Sequence, residues 1–305
     1  MAAAATRSTG VHGVTVIVNA RAGNAGADRI VELERAFART DLRVRFDHVT
    51  DGAAIARRAR EAAARGDTLV AAGGDGTVGT VAAAAADAGV AFGVIPLGTR
   101  NHFARDAGIP ADLDRAVAAI AAGQIRLLDL GEVNGRVFVN NSSLGLYPRL
   151  VWEREAEQRR GRPKWIAFGI ALFRTWRRYR QVTVRLTLRG HEHVRRTPFV
   201  FIGNNEYRLE GLHMGARAAL DRGQLSVHLA PHCGRFEILM LPFQALAGRL
   251  AAAVGFESFL VSAVSIETAR RRVSVAFDGE VTVMRPPLRY RIRPAALKTI
   301  VPGTA

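Results

Sequence analysis

The stretch Gly73-Gly74-Asp75-Gly76-Thr77 decides how this chain is read. It follows a short apolar run, Thr68-Leu69-Val70-Ala71-Ala72, and precedes an alanine-rich run over 78–88. A buried strand, a tight turn and a helix N-terminus fit that order. Backbone N–H groups gather at such a point and can hold phosphate, and glycine lets the main chain come close. Asp75 is out of place in a plain anion nest. Its carboxylate repels phosphate unless a divalent cation lies between them. Glycines, acid and hydroxyl together point to a nucleoside triphosphate with Mg²⁺. The plainer alternative is an ordinary strand-to-helix turn, which gives the acid no role.

Working outward, residues 14–125 alternate between two textures. Strands are expected at 14–18, 43–49, 68–72 and 91–95, and helices at 28–38, 53–64, 78–88 and 113–122. That order predicts an α/β domain over 1–125 with a parallel sheet covered by helices. Ligands of such sheets collect at the carboxyl ends of the strands, where Asn19, Thr50, Gly73 and Pro96 fall. After about 126 the pattern changes. Residues 182–189 alternate strictly between apolar and polar, as a half-buried strand does. Similar runs at 136–140, 198–203, 225–230, 272–277 and 288–292 predict an all-β sandwich over 126–293. Helical insertions are expected at 150–179 and around 242–259.

The 305 residues suffice for two domains, and 49 % hydrophobic with 23 % charged residues is a globular balance. A single cysteine, Cys233, excludes an internal disulfide framework and suits a reducing compartment. Residues 1–10 lack the apolar core of a secretory leader. No apolar run reaches the roughly 20 residues of a spanning helix. A cytoplasmic protein, peripherally associated with membrane, is expected. The net charge of +16 is almost entirely arginine, with Lys164 and Lys298 the only lysines. Compositional bias of the genome accounts for such a charge, and so does an anionic partner: nucleotide, membrane or nucleic acid.

A second loop narrows the choice. Gly98-Thr99-Arg100-Asn101-His102-Phe103-Ala104-Arg105 runs on to Gly108-Ile109-Pro110, and a late turn reads Asp278-Gly279-Glu280. With 73–77, these motifs resemble the catalytic domain of the diacylglycerol kinase family, which includes bacterial lipid kinases and sphingosine kinases and is similar in fold to NAD kinase. The resemblance spans nearly the whole chain. It implies a nucleotide-binding α/β domain and a β-sandwich for the lipid, with residues 294–305 returning to the first domain. It also implies transfer of the γ-phosphoryl of ATP, with Mg²⁺, to a lipid hydroxyl such as that of diacylglycerol.

By the same resemblance Asn19, Thr50, Gly73, Gly74, Gly76, Thr77, Gly98 and Thr99 bind the nucleotide. Asp75 also binds there, holds Mg²⁺ and serves catalysis. Asn101 braces its loop. Glu280 is the implied base, with Asp278 as organiser or second acid. An Asp-Gly pair between apolar strands is equally a hairpin signal, and Thr50 equally fits a helix N-cap region. Three departures stand out. Ala20 replaces the usual proline in Asn19-Ala20-Arg21-Ala22-Gly23, Gly79 and Thr80 replace Asn-Glu, and His102 replaces Asp. Some relatives bind a structural Mg²⁺ through an Asp-Gly turn in the second domain. Arg222 stands where the acid would be, so that site is expected to be lost or replaced by an ion pair.

All three tryptophans, Trp152, Trp165 and Trp176, lie within 150–180, together with nine basic residues and three acids. Its centre, 165–173, is apolar and too short to span a bilayer. It suits a helix lying in an anionic membrane surface, or one packed on the sandwich. The apolar run 236–243 reads as core or the wall of an acyl pocket. His191-Glu192-His193 lacks a third metal ligand nearby, and His232-Cys233 lacks a recognisable catalytic arrangement. The charge invites nucleic acid, but no RNP, zinc-finger or helix-turn-helix signature accompanies it, so none is expected. No motif speaks to oligomeric state. Besides the lipid kinase, two readings stay open: an enzyme like NAD kinase, and a non-catalytic nucleotide-binding protein at the membrane.

Overall fold

The computed structural model describes residues 13–21, 27–177, 181–188, 190–207, 217–230, 234, 240 and 256–303, apart from the side chains of 147, 151, 155, 159 and 164. The sequence readings of Gly23, of His232-Cys233 and of nearly all of 236–243 lie outside them, as does most of the helix expected at 242–259. The described end of that last range, from Glu257, is strand.

The chain divides into two units, 1–130 with 293–305 and 131–292. In the first, β1 (Val14–Asn19), β2 (Val44–Val49), β3 (Thr68–Gly73) and β4 (Ala91–Pro96) form a parallel sheet in the order β2-β1-β3-β4. The end of β16 (Leu288–Ile300) adds to it, with Lys298 opposite Ala91 in parallel register. β3 is buried along its full length, as its unbroken apolar run requires of a strand covered on both faces.

Helices α1 (Ala27–Ala38), α2 (Gly52–Ala64), α3 (Asp75–Ala88), α4 (His102–Asp106) and α5 (Leu113–Ala122) complete this unit. Leu33 and Phe37 of α1 and Val117 and Ile120 of α5 share one core with Val16, Val70 and Ile95. The side chains of Asp51 and Asp112 cap α2 and α5 by accepting from Ala54 and Arg115 N–H. Val81, Ala82 and Ala85 of α3 are fully buried; the alanines keep that helix close to its neighbours.

The second unit contains β6 (Arg136–Phe138), β7 (Asn141–Gly145), α6 (Leu146–Arg159) and α7 (Lys164–Arg177), then β8 (Val182–Leu188), β9 (His191–Thr197) and β10 (Phe199–Asn204). β11 (Leu225–Leu229), β12 (Glu257–Val261), β13 (Ala263–Thr268), β14 (Val273–Phe277) and β15 (Glu280–Met284) follow. A six-stranded sheet runs β12-β11-β10-β7-β14-β15, and β13, β8 and β9 form a second sheet with the start of β16. The strand pairs within both, among the described residues, are antiparallel. Val184, Leu186, Ile266 and Tyr290 from one sheet meet Val200, Ile202, Val227 and Val275 from the other in a single core. The alternation over 182–188 is the half of that sandwich legible in one strand. β5 (Ile125–Val133) and β16 are the two strands in which the chain passes between units.

Candidate active site

In the first unit, α3 begins at Asp75, so Asp75, Gly76 and Thr77 form its first turn, with Gly74 as the N-cap. The first N–H groups of a helix have no carbonyl within it to bond, and the helix dipole places partial positive charge there. Gly73 ends β3, and its carbonyl accepts from Leu97 N–H at 3.1 Å, which holds the loop after β4 beside it. Glycine is required in both loops. A Cβ on Gly98 would stand 2.5 Å from the Cα of Gly74, and one on Gly73 would stand 2.6 Å from Thr77 Oγ1.

Polar side chains fix this junction. Asn19 Nδ2 donates to Thr77 Oγ1 at 3.0 Å, and Asn19 Oδ1 accepts from Arg21 N–H. Asn101 Oδ1 accepts from Gly98 N–H, and its Nδ2 donates to Gly98 O at 2.7 Å. Asn101 adopts φ 47 to close that ring, the left-handed region that asparagine tolerates better than most residues. It therefore braces the loop. Asp75 Oδ1 accepts a long hydrogen bond, 3.4 Å, from Phe103 N–H in α4. Burial lowers the His102 pKa; the Asp75 charge works against that shift, and Arg105 and Arg100 reinforce it.

Asn19, Gly73, Gly74, Asp75, Gly76, Thr77 and Gly98 are thus brought together at the carboxyl ends of β1, β3 and β4. Thr50 and Thr99 are exposed, and their side chains make no hydrogen bond among the described residues. Asp51, not Thr50, caps α2. Thr80 donates back to Gly76 O at 2.9 Å.

In the second unit the Asp278-Gly279 turn joins β14 to β15 as a two-residue hairpin, with Phe277 opposite Glu280. Both turn residues have positive φ, 47 and 90, as this tight hairpin demands. The Asp278 carboxylate faces inward. It accepts from Val139 N–H at 2.7 Å and Asn140 N–H at 2.8 Å, with a longer bond from Asn141 N–H. Burial pushes its pKa up to about 6; those three N–H groups and the Arg217 charge pull the other way. Asp278 is thus an organiser of this turn, while Glu280, the next residue but one, is exposed.

Arg217 was not legible as a site residue. Its guanidinium donates to Val139 O at 2.7 Å, to Asn204 O and to Asn140 Oδ1, so that a fixed cation lies among oxygen atoms beside Asp278. One arginine among so many carries no signal in a sequence. Arg222 offers only its N–H, to Asn205 Oδ1, and forms no ion pair among the described residues. No cluster of three or more His, Cys, Asp or Glu suited to a metal occurs among the described residues.

A parallel α/β unit with paired glycine loops, joined to a β-sandwich carrying an acidic hairpin, is the architecture of the diacylglycerol kinase-like fold. The diacylglycerol kinase catalytic domain matches residues 13–133, and the YegS C-terminal NAD kinase beta sandwich-like domain matches 150–301. A probable lipid kinase YegS-like protein of Pseudomonas fluorescens is 31% identical over 283 residues, 89% of each chain. A diacylglycerol kinase of Bacillus subtilis is 42% identical over 99 residues, covering 31% of this chain and 33% of that one. A solved structure of a putative diacylglycerol kinase from Bacillus anthracis shares the fold, with a TM-score of 0.74 at 22% identity and 96% of each chain covered. The chain belongs to the diacylglycerol kinase catalytic-domain family, among its YegS-like lipid kinases, and is an enzyme of that class.

Proposed function

We propose that this enzyme transfers the γ-phosphoryl group of ATP to a hydroxyl of a membrane lipid, diacylglycerol or a close relative, and that it does so with Mg²⁺. The close packing of Gly74 against Gly98, at the start of a helix that carries an acid in its first turn, is the observation that supports this most. Asn19, Gly73, Gly74, Gly76 and Thr77 serve the phosphates from one loop, and Gly98 and Thr99 from the other. The Thr77 hydroxyl, which accepts from Asn19, keeps its own proton to donate. Thr50 serves the nucleotide from the end of β2.

Asp75 suits Mg²⁺, because a carboxylate among N–H groups meant for phosphate needs a cation between the two charges. Bound there, the ion would neutralise phosphate oxygens as negative charge shifts during transfer. Glu280 accepts the proton of the attacking hydroxyl. An ordinary glutamate, with a pKa near ~4.3, cannot ionise an alcohol beforehand, so proton removal accompanies attack. Asp278 and Arg217 position the Glu280 turn.

The membrane is met through α7. Trp165, Ile166 and Phe173 are exposed at 86%, 53% and 55%, while Ala167, Ala171 and Thr175 face inward. Glu153 and Glu157 of the preceding helix are turned inward too. Glu157 is fully buried and pairs with Arg160, Arg162 and Arg174. Burial pulls its carboxyl upward, yet the Arg174 hydrogen bond and the charges of Arg162, Arg174 and Arg160 prevail and hold its pKa low. The pairs leave the outer face of α7 apolar with basic surroundings, as an interfacial helix requires. Among the described residues no helix is long and apolar enough to cross a membrane.

Incubating the purified protein with labelled ATP, Mg²⁺ and total membrane lipid tests this reading. Label in an organic-soluble lipid phosphate is expected. Label transferred to NAD instead, or ATP binding with no transfer to any lipid, would overturn it.

A further inference from the structure

One sheet of the second unit ends in an open strand. Among the described residues β9 is paired with β8 on one side and with no strand on the other. Such an edge offers a row of backbone N–H and C=O groups to any strand that matches it. At seven residues, His191–Thr197, β9 is neither short nor interrupted by proline, two of the devices that blunt an edge. Val194 at its centre is 54% exposed.

The pairing with β8 decides which groups face outward. Leu188 lies opposite His191 with only two residues between them, and so short a connection makes its flanking residues a hydrogen-bonded pair. Bonded and non-bonded pairs then alternate along the ladder. His191, His193, Arg195 and Thr197 therefore bond to β8, and Glu192, Val194 and Arg196 turn their N–H and C=O groups to the open edge. The Val194 carbonyl accepts from the Arg195 guanidinium at 3.1 Å, as a carbonyl on an open edge can. The side chains divide in the same way. Arg195 pairs with Glu257 at 2.8 Å and His193 rests on Phe259. Glu192, Val194 and Arg196 are exposed. Glu192 meets Arg185 only at 3.8 Å, and Arg196 forms no ion pair among the described residues.

We propose that β9 is where this chain pairs with a second copy of itself, the two β9 strands running antiparallel about a two-fold axis at Val194. In that register Glu192 of each copy lies opposite Arg196 of the other, Val194 meets Val194, and every outward N–H and C=O of the three residues finds its complement. Opposite charges and apolar contact across adjacent strands both favour pairing, and like charges oppose it. The neighbouring registers do worse. Centred on Glu192 or on Arg196, like charges face each other across the axis. Centred one residue before Val194, Glu192 falls opposite Val194 and Arg196 opposite Gly190; one residue after, Glu192 meets Pro198, which has no N–H to give. Charge and backbone bonding thus select one arrangement. It calls on neither the glycine loops nor Glu280, so it stands apart from the kinase reading.

Sedimentation velocity of the full chain, without nucleotide or lipid and over a wide range of concentration, is the test. A reversible monomer–dimer equilibrium is expected. Glu192→Arg and Arg196→Glu each set like charges against each other at two places about the axis, and each should weaken the dimer by about tenfold or more. The double variant Glu192→Arg/Arg196→Glu restores opposite charges in this register and should recover the wild-type equilibrium. Val194→Pro removes the central outward N–H while sparing the bonds to β8, and should abolish the dimer. The charge variants alter exposed side chains only, so melting temperatures equal to wild type separate lost pairing from lost folding. A monomer at every concentration overturns the proposal. So does a dimer that the single charge reversals leave intact, or a double variant that pairs no better than the singles.

Discussion

The turn at Asp75 and the turn at Asp278 are written in nearly the same letters, an acid beside glycine, yet the chain holds the two acids differently. Asp75 sits in the first turn of a helix, where its Oδ1 accepts a long bond from Phe103 N–H. Asp278 is turned into its unit, where three consecutive N–H groups converge on it. On the proposed reading the first carboxylate serves a cation at the helix start. The second makes the carboxylate a pin that fixes a hairpin, and on the proposed reading the chemistry falls to the exposed neighbour, Glu280. An acid-glycine motif does not announce its role; the neighbouring backbone donors decide it.

That contrast can be broken by substitution. Asp75→Asn is expected to lower lipid phosphorylation on the order of a thousandfold, as loss of charge stabilisation does, with little change in melting temperature. Glu280→Gln is expected to lower it by ~10²–10⁴, the usual worth of a general base. Asp278→Ala should act mainly on the fold. It strands the N–H groups of Val139, Asn140 and Asn141, and a loss of roughly 2–4 kcal/mol in urea unfolding is expected. If Asp75→Ala destabilised the protein as much as Asp278→Ala does, the two acids would not differ as described.

Gly98→Ala sharpens the account of the first turn. The added methyl meets the backbone of Gly74, which cannot rotate away, so about 1–3 kcal/mol of stability and most of the ATP affinity should be lost. The last effect is one of pH. Asp278 titrates near 6 in the folded chain and at ~3.9 when unfolded, so between those values the folded state holds the extra proton. Its contribution to stability is therefore greatest below about pH 4 and falls as pH rises through 6. Unfolding wild type and Asp278→Asn from pH 4 to 7 should show wild type losing ground to the variant across that window.

Much of the first unit could be read from the chain because its causes are local. The apolar strands 14–18 and 68–72 and the glycine loops each act within a few residues, and β1, β3 and the start of α3 follow from them, whereas the cap of α2 is Asp51 and not the Thr50 that the sequence suggested. α4 escaped notice because five residues give no periodicity. The second unit was legible as alternating strands, but not in what joins them. Arg217 reaches Asn140 across 77 positions, and Asp278 reaches Val139 across 139. Such contacts leave no spacing in the sequence. The same holds for the open edge of β9, whose outward residues are set only once β8 has paired with its other side. The charge of 150–180 was legible as composition, while its division into inward ion pairs and an outward apolar face was not.

The most direct measurement is ATP binding by calorimetry, with and without Mg²⁺, to wild type, Asp75→Asn and Glu280→Gln. Wild type and Glu280→Gln should bind ATP with Mg²⁺-dependent affinity, although Glu280→Gln turns over far more slowly. Asp75→Asn should lose the Mg²⁺ dependence. ATP affinity that responds to Mg²⁺ equally in all three proteins would contradict the role given to Asp75.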